Sequence, residues 1–295
     1  MRGLNDGVCG DNGQWIMDND QFYKKMMKRL FQFAILVVTI AMTSCVAKFS
    51  RTETNTVVAD SLPWYEDMDA LQKDLDAAIE DARELDESKM GVNLMPIKKG
   101  TPNEEWATID GKDMVLLVTL VDSSRLQKFF GQEGVYQIDR EMGTWVTIPG
   151  EWLTKKEAFE GLDSVAAHMR MLQMYGLSPD CTYNIMVQFY ADVNGIFRPA
   201  SDPSIDTTTA GIDFPAWADE NYKVGDTNFR EWFRYNVQAA FEDDSPLPWT
   251  RLGYTYDWHK GAPRQGLSEY IVVDQTYLKV KSHESEWQFI QNLSK

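Results

Sequence analysis

A short apolar run near the amino terminus divides this 295-residue chain into a leader and a body. Residues 30–42 are almost entirely apolar, and a basic stretch precedes them, formed by Lys24, Lys25, Lys28 and Arg29. A helix that spans a bilayer needs roughly 20 apolar residues, so this run is too short. A basic stretch followed by a short apolar core is typical of a signal peptide. We therefore expect residues 27–44 to direct export of the body that follows.

The sequence Met42-Thr43-Ser44-Cys45 ends this segment. It resembles the bacterial lipobox, in which an aliphatic residue and two small residues precede a cysteine that becomes lipidated. The resemblance implies that Cys45 is the lipidation site and the first residue of the mature protein. The lipid anchor is then its attachment to the membrane.

The residues on either side of the lipobox refine this interpretation. The basic stretch normally opens a signal peptide, so we expect translation to start at Met26 or Met27 and residues 1–26 not to be translated. Val46 and Ala47 follow Cys45 without an acidic run. By resemblance to known sorting signals, this favours a periplasm-facing position at the bacterial outer membrane.

The body is strongly acidic. Residues 46–295 contain 24 basic and 41 acidic residues, a formal net charge of −17. Such a surface repels phosphate groups and anionic lipids, so nucleic acid is excluded as an expected partner, and so is docking to the membrane by charge. Cys181 is the one cysteine of residues 46–295. We therefore expect a body without an internal disulfide, with Cys181 as a buried apolar residue and the core as the source of stability.

Periodicity predicts the order of elements. Residues 45–61 are the anchor and a polar, flexible tether. Within residues 62–90, apolar side chains recur at spacings of three and four from Met68 to Leu85, as in an amphipathic helix that packs on the body or binds a partner helix. Residues 91–295 form the globular domain, and its interleaved patterns predict one α+β domain with a mixed sheet covered by helices.

Individual elements follow from local signals. Helices are predicted after a cap at Asp122, after a capping box of Thr154 and Glu157 that runs to Gly176, and from Asp226 or Thr227. The predicted strands are residues 114–121, 144–148, 183–190, 250–256 and 269–273, the last two as a hairpin. Residues 276–293 are predicted as a strand followed by a helix or as a docked tail.

No catalytic signature is present. The sequence has no nucleophile-elbow, Walker, zinc-protease or C-x-x-C motif, and it has only three histidines. We therefore expect no cofactor and no metal site, and a non-enzymatic protein. His168 flanks the apolar face of the helix predicted to run from the capping box to Gly176, and is interpreted as structural.

Two blocks of unusual composition supply the candidate site residues. In residues 197–206, Arg198 with Asp202 and Asp206 could hold an anionic or hydroxylated ligand, or could close the loop by salt bridges. In residues 248–259, strand alternation places Arg251 and Asp257 on one face with Gly253 between them. That face could bind a sugar or a carboxylate, or could be a buried ion pair in an aromatic core. Trp258 and His259 adjoin Asp257 as further candidates.

These blocks resemble an uncharacterised family of cell-envelope lipoproteins from Bacteroidota. The resemblance covers roughly residues 145–275 and rests on Tyr175-Gly176-Leu177, Phe197 to Ile205, Pro248 to Trp258 and Gly266-Leu267-Ser268-Glu269. It implies no activity, because none is known for the family. It does group five residues as one candidate site: Arg198, Asp202, Arg251, Asp257 and Glu269.

Three functions fit these observations. The first is a lipid-anchored, non-enzymatic module that binds a glycan, a peptide or a partner protein. The second is a glycan hydrolase with Asp257 and Glu269 as the acid/base pair, which requires two carboxyl groups about 5–9.5 Å apart in a cleft. The third is a subunit of an envelope complex that docks through the helix of residues 64–85.

Overall fold

A nine-stranded sheet lies at the centre of the protein. The computed structural model describes residues 62–242 and 245–293, so the predictions about the leader, the lipid anchor and the tether concern residues outside the described part. The strands are β1 (Trp106–Ile109), β2 (Lys112–Val121), β3 (Tyr136–Gln137), β4 (Thr144–Thr147), β5 (Ile185–Asp192), β6 (Ile196–Phe197), β7 (Lys223–Val224), β8 (Thr227–Asn228), β9 (Tyr254–Tyr256), β10 (Gln265–Val272) and β11 (Tyr277–Ser285). The helices are α1 (Met68–Arg83), α2 (Ser123–Phe130), α3 (Ser164–Tyr175), α4 (Phe229–Glu242) and α5 (Glu286–Leu293), with a 3-10 segment at Pro149–Phe159.

The strand order is β3-β11-β5-β2-β4-β10-β6, with β1 beside β2 and β9 beside β10, while β7 and β8 form a separate hairpin. The predicted α+β domain is confirmed. Its sheet was predicted as mixed, and this is wrong, because all strand pairs of the described residues are antiparallel. The hairpin of the last predicted strands is confirmed as the β9–β10 pair.

Helices cover both faces of the sheet. On one face, α3, α5 and the 3-10 segment enclose a core around Trp152 and Met171, and α4 encloses an aromatic core around Trp232. On the other face, α2 contributes Phe130 to a core that includes Val146. In the described part, no helix is long and apolar enough to cross a membrane.

Helix α1 packs on the outside of the helical layer. Its apolar face (Leu71, Leu75, Ala78, Ile79 and Ala82) is buried against Met169, Phe241 and Trp258, which belong to α3, α4 and the segment after β9. The amphipathic helix predicted within residues 62–90 is thus confirmed, and it packs on the body.

Helix α3 begins later than predicted. The capping box does not form, since the Thr154 hydroxyl donates to the carbonyl of Glu151. The chain instead turns at Gly161, whose φ is +75°, and Asp163 caps the helix by accepting from the backbone amides of Val165 and Ala166. The predicted stop is confirmed, because Gly176 adopts the left-handed conformation that favours glycine.

The strand predicted at residues 250–256 is also shorter. Only Tyr254–Tyr256 pair with β10. Thr250 bends the chain before them, because its hydroxyl accepts from the Leu252 amide and donates to the Tyr254 carbonyl. Arg251 and Gly253 lie in this turn at φ values of +59° and +76°. Strand alternation therefore does not apply to Arg251.

Cys181 is buried and takes part in a disulfide bond. The prediction that the body folds without a disulfide is therefore wrong. The other two cysteines, Cys9 and Cys45, lie outside the described residues.

Candidate functional site

Arg198 closes a loop from inside the protein. Its side chain is fully buried and donates to the hydroxyl and carbonyl of Thr207, to the carbonyl of Thr209 and to the Tyr270 hydroxyl, at 2.7–3.1 Å. The predicted loop closure is therefore present, but the predicted salt bridges to Asp202 and Asp206 are not among its contacts. Asp202 instead accepts from the backbone amide of Ser204.

Three segments that lie far apart in the sequence meet around this arginine. Ala200 pairs with Leu252, and the Gly253 carbonyl accepts from the Glu269 amide. A side chain at Gly253 would lie 2.4 Å from the Arg198 Cδ atom. Gly253 therefore makes room for Arg198, and the prediction that it makes room between Arg251 and Asp257 is wrong.

Arg251 points away from this junction, towards the end of α1. Its guanidinium donates to the carbonyls of Ala82 and Arg83 at 2.5 and 2.9 Å and lies 5.0 Å from the ring centre of Phe241. Burial lowers the pKa of Arg251. A cation at the carboxyl end of a helix stabilises carbonyls that have no partner within the helix. Its role is therefore to attach α1 to the body.

Asp257 pairs with Arg170 of α3, so the predicted Arg251–Asp257 pair is wrong. The two guanidinium–carboxylate distances are 2.9 and 2.6 Å, and both side chains are at most 7% exposed. The Asp257 carboxylate also accepts from the backbone amide of His259. Asp257 thus belongs to a buried ion pair, which is one of the two alternatives for this face, but its partner is Arg170 of α3 and not Arg251.

Trp258 and His259 belong to the same network. The Trp258 indole donates to the carbonyl of Leu177, and the His259 ring contacts the Gln173 amide oxygen at 2.9 Å. Trp64 covers the His259 ring edge-on, with ring centres 5.1 Å apart. Burial, followed by the nearby charge of Arg170, lowers the pKa of His259. These contacts are local and satisfied, and they anchor α3 to the segment after β9.

Glu269 lies on the sheet face under α3 and α4. It is 5% exposed, its Oε1 atom has no hydrogen-bond partner, and burial raises its pKa to about 8. The Trp249 side chain lies within hydrogen-bonding reach of this carboxyl and opposes the rise in its pKa. On the same side of the sheet, the Trp145 indole nitrogen has no partner among the described residues. Glu269 is thus a buried carboxyl among aromatic rings, whereas Asp257 is held by Arg170.

The seven candidate binding residues consequently do not form one site. Arg198 supports a loop, Asp202 closes a turn, Arg251 caps α1, and Asp257, Trp258 and His259 join α3 to β9. Glu269 stands apart in the core. None of these side chains lines the open pocket described below.

His168 is structural in its contacts, as predicted. Its Nδ1 atom lies 2.6 Å from the Glu286 carboxylate, and its Nε2 atom lies 3.3 Å from the Cys181 carbonyl. Both partners are acceptors, and the carboxylate of Glu286 is the main cause of the raised pKa of His168. The pair connects α3 to α5.

An open pocket lies on the outer side of α4. It has a volume of about 300 Å³ and is lined by Phe214, Arg230, Phe233, Arg234 and Val237. The rings of Phe214 and Phe233 are 5.0 Å apart, and Phe233 packs in turn on Trp249 at 5.1 Å. The floor of the pocket is therefore the outer layer of the aromatic core under α4.

Two arginines, one helical turn apart, border this floor. Arg230 lies 3.6 Å above the centre of the Phe214 ring and donates through Nε to the carbonyl of Ala218. Arg234 makes two hydrogen bonds, at 2.9 and 3.2 Å, to the exposed carboxylate of Glu220. Within the described part of the chain, Arg230 has no ion pair.

This pocket is not among the sites that the sequence predicts. The inward face of α4 is as predicted, since Phe229, Trp232, Phe233 and Phe241 are buried. The missed signal is on the other face, where Arg230 and Arg234 stand at i and i+4 in a strongly acidic chain. Phe214 comes from the long irregular stretch, whose path the sequence pattern did not predict.

No group of three metal-ligating side chains occurs in residues 62–242 and 245–293. Comparisons with protein-family models, curated proteins and solved structures found no match. The resemblance to Bacteroidota lipoproteins thus remains a prediction.

Proposed function

We propose that this chain is a lipid-anchored cell-envelope protein whose domain is a binding module, and that the pocket on α4 holds its ligand. The observation that carries the proposal is a concave, apolar floor beside an arginine that has no ion-pair partner among the described residues. Ligand sites in proteins are typically apolar clefts with a few polar groups that orient the ligand. Here Phe214, Phe233 and Val237 supply the cleft, and Arg230 supplies the polar group.

The geometry favours binding over the two alternatives. A hydrolase would need Asp257 and Glu269 to face a common cleft, but Asp257 is neutralised by Arg170 and Glu269 is enclosed in the core. A docking subunit would need a free apolar face on α1, but that face is buried against α3 and α4. Binding in the pocket on α4 requires neither a cleft shared by Asp257 and Glu269 nor a free apolar face on α1.

The lipid anchor is the second part of the proposal, and it rests on the lipobox at Cys45. A periplasm-facing position at the outer membrane, and membership of the Bacteroidota lipoproteins, rest on the sequence features given above. Replacing Cys45 with Ser should abolish labelling by a fatty-acid probe and leave the precursor unprocessed. Continued labelling of the variant would contradict the assignment.

A binding screen tests the pocket itself. The detergent-solubilised protein would be mixed with pools of oligosaccharides, short peptides and small organic acids, with methyl resonances as the readout. The proposal predicts that binding pools shift Val237 and leave Val146, in the opposite core, unchanged. Ligands that shift other regions, or that are hydrolysed during the titration, would contradict it.

A further inference from the structure

We infer that the pocket on α4 recognises a carboxylate joined to a small apolar group, with Arg230 as the carboxylate-binding residue. The chemistry is that of the C-terminal residue of a peptide with an apolar side chain, or of a free acylated amino acid. This inference rests on the proposed function, because it names the ligand class of the same pocket.

The contacts of Arg230 leave its outer edge available. One face of its guanidinium stacks on Phe214, and its Nε atom is used by the carbonyl of Ala218. These two contacts fix the plane of the group, while its terminal nitrogens have no hydrogen bond among the described residues. A fixed guanidinium edge matches the two oxygens of a carboxylate, with both hydrogen bonds assisted by charge.

The other pocket residues select the remainder of the ligand. Phe233 and Val237 are apolar, and the volume of about 300 Å³ is at the small end of the range for ligand pockets. It therefore suits one apolar side chain with its carboxylate rather than a long chain. The Phe214 ring is covered by Arg230, so it does not offer an open face for stacking on a sugar.

Arg234 and Glu220 adjust the affinity. Their ion pair is exposed, with side chains 59% and 63% accessible, so it contributes little to stability. Glu220 neutralises Arg234 beside the pocket and also repels a carboxylate ligand. Removing the Glu220 charge should consequently strengthen binding of an anion.

The experiment compares an acid with its neutral analogue. The full chain in detergent would be titrated with N-acetyl-leucine and with N-acetyl-leucinamide, by calorimetry and by the fluorescence of the tryptophans behind Phe233. We expect the amide to bind about tenfold more weakly or worse, because it loses a charge-assisted pair of hydrogen bonds. Arg230→Gln should cause a similar loss for the acid, and Arg230→Lys an intermediate one.

Two further variants distinguish specific binding of the carboxylate by Arg230 from a general effect of charge. Arg83→Gln is the matched control, since Arg83 is also an exposed arginine near a phenylalanine ring, at 5.4 Å from Phe241. It should leave binding unchanged. Glu220→Gln should tighten binding of the acid about two- to fivefold.

The outcomes test two hypotheses separately: that the ligand is a carboxylate, and that the pocket on α4 binds a ligand at all. Equal binding of acid and amide, with shifts at Val237, would overturn the carboxylate inference and leave the binding pocket standing. No binding of either, together with a screen that finds no ligand at α4, would overturn both. A tetrapeptide that ends in Leu and binds more tightly than N-acetyl-leucine would identify a peptide end as the source, and weaker binding would identify a free acid.

Discussion

Arg170 lies on α3 and Arg230 on α4, and their guanidinium groups face opposite environments. Arg170 is 5% exposed and makes two hydrogen bonds to Asp257. Arg230 is partly exposed, stacks on Phe214 and has no carboxylate partner in the described part of the chain. The charge of Arg170 is therefore paired inside the fold, whereas the charge of Arg230 is accessible and has no carboxylate partner among the described residues.

This difference shows how similar residue types serve structure in one place and recognition in another. An arginine removed from water needs a partner within the protein, since an unpaired buried charge costs several kcal/mol. An arginine at the edge of a pocket keeps its water until a ligand replaces it. The composition of the Asp257 block therefore resembles a binding site, although its charges are already used inside the fold.

The largest expected effect is on the buried pair of Arg170 and Asp257. Asp257→Asn leaves the Arg170 charge buried without compensation, and should lower the free energy of unfolding by about 3–5 kcal/mol. The matched change beside the pocket on α4, Glu220→Gln, should lower it by less than about 1 kcal/mol. Denaturant unfolding of both variants measures the two effects. A small effect of Asp257→Asn would place Asp257 in a solvated site and contradict the difference drawn between Arg170 and Arg230.

The second prediction concerns pH and Glu269. Burial raises its pKa from 4.5 to about 8, so folding favours the protonated form. The contribution of Glu269 to stability is fully present below pH 4.5 and is lost as the pH rises towards 8. Glu269→Gln removes this dependence, so its stability relative to wild type should rise with pH by up to about 1.4 kcal/mol per unit. A difference that stays constant from pH 5 to 8 would show that Glu269 is solvated in the fold.

A third prediction tests the packing around the other buried arginine. Gly253→Ala combines a left-handed backbone with a methyl group 2.4 Å from the Arg198 side chain, and should cost about 2–3 kcal/mol. Gly261→Ala is the control, because Gly261 has a φ of +86° with no atom within 4 Å of the added carbon. Its cost should be only the backbone contribution, about 1 kcal/mol. Equal melting temperatures for the two variants would show that Arg198 yields to the methyl group.

Much of the fold could be predicted from local patterns. The apolar run of β2, the periodicity of α1 and the inward face of α4 each depend on residues close in sequence, and the structure confirms all three. The predictions failed where a turn interrupted a regular pattern, as at Gly161 and Thr250.

The candidate site was harder to predict because its decisive contacts are distant in the chain. Asp257 and Arg170 are 87 residues apart, so strand alternation suggested the wrong arginine. Arg198 was expected to use carboxylates of its own loop but uses hydroxyl and carbonyl groups, including Tyr270 from β10. Arg170 and Arg230 also differ in how far they are buried, and burial cannot be predicted from the residue type.

One titration monitors the pocket on α4 and the region of Arg170 and Asp257 in the same spectrum. The protein, labelled at its methyl groups, would be titrated with N-acetyl-leucine while Val237 in the pocket and Met169 beside Trp258 are followed. We predict a saturable shift of Val237 that Arg230→Gln removes, with Met169 unchanged throughout. Shifts at Met169 with Val237 unmoved would contradict this prediction and assign the ligand to the region of Arg170 and Asp257.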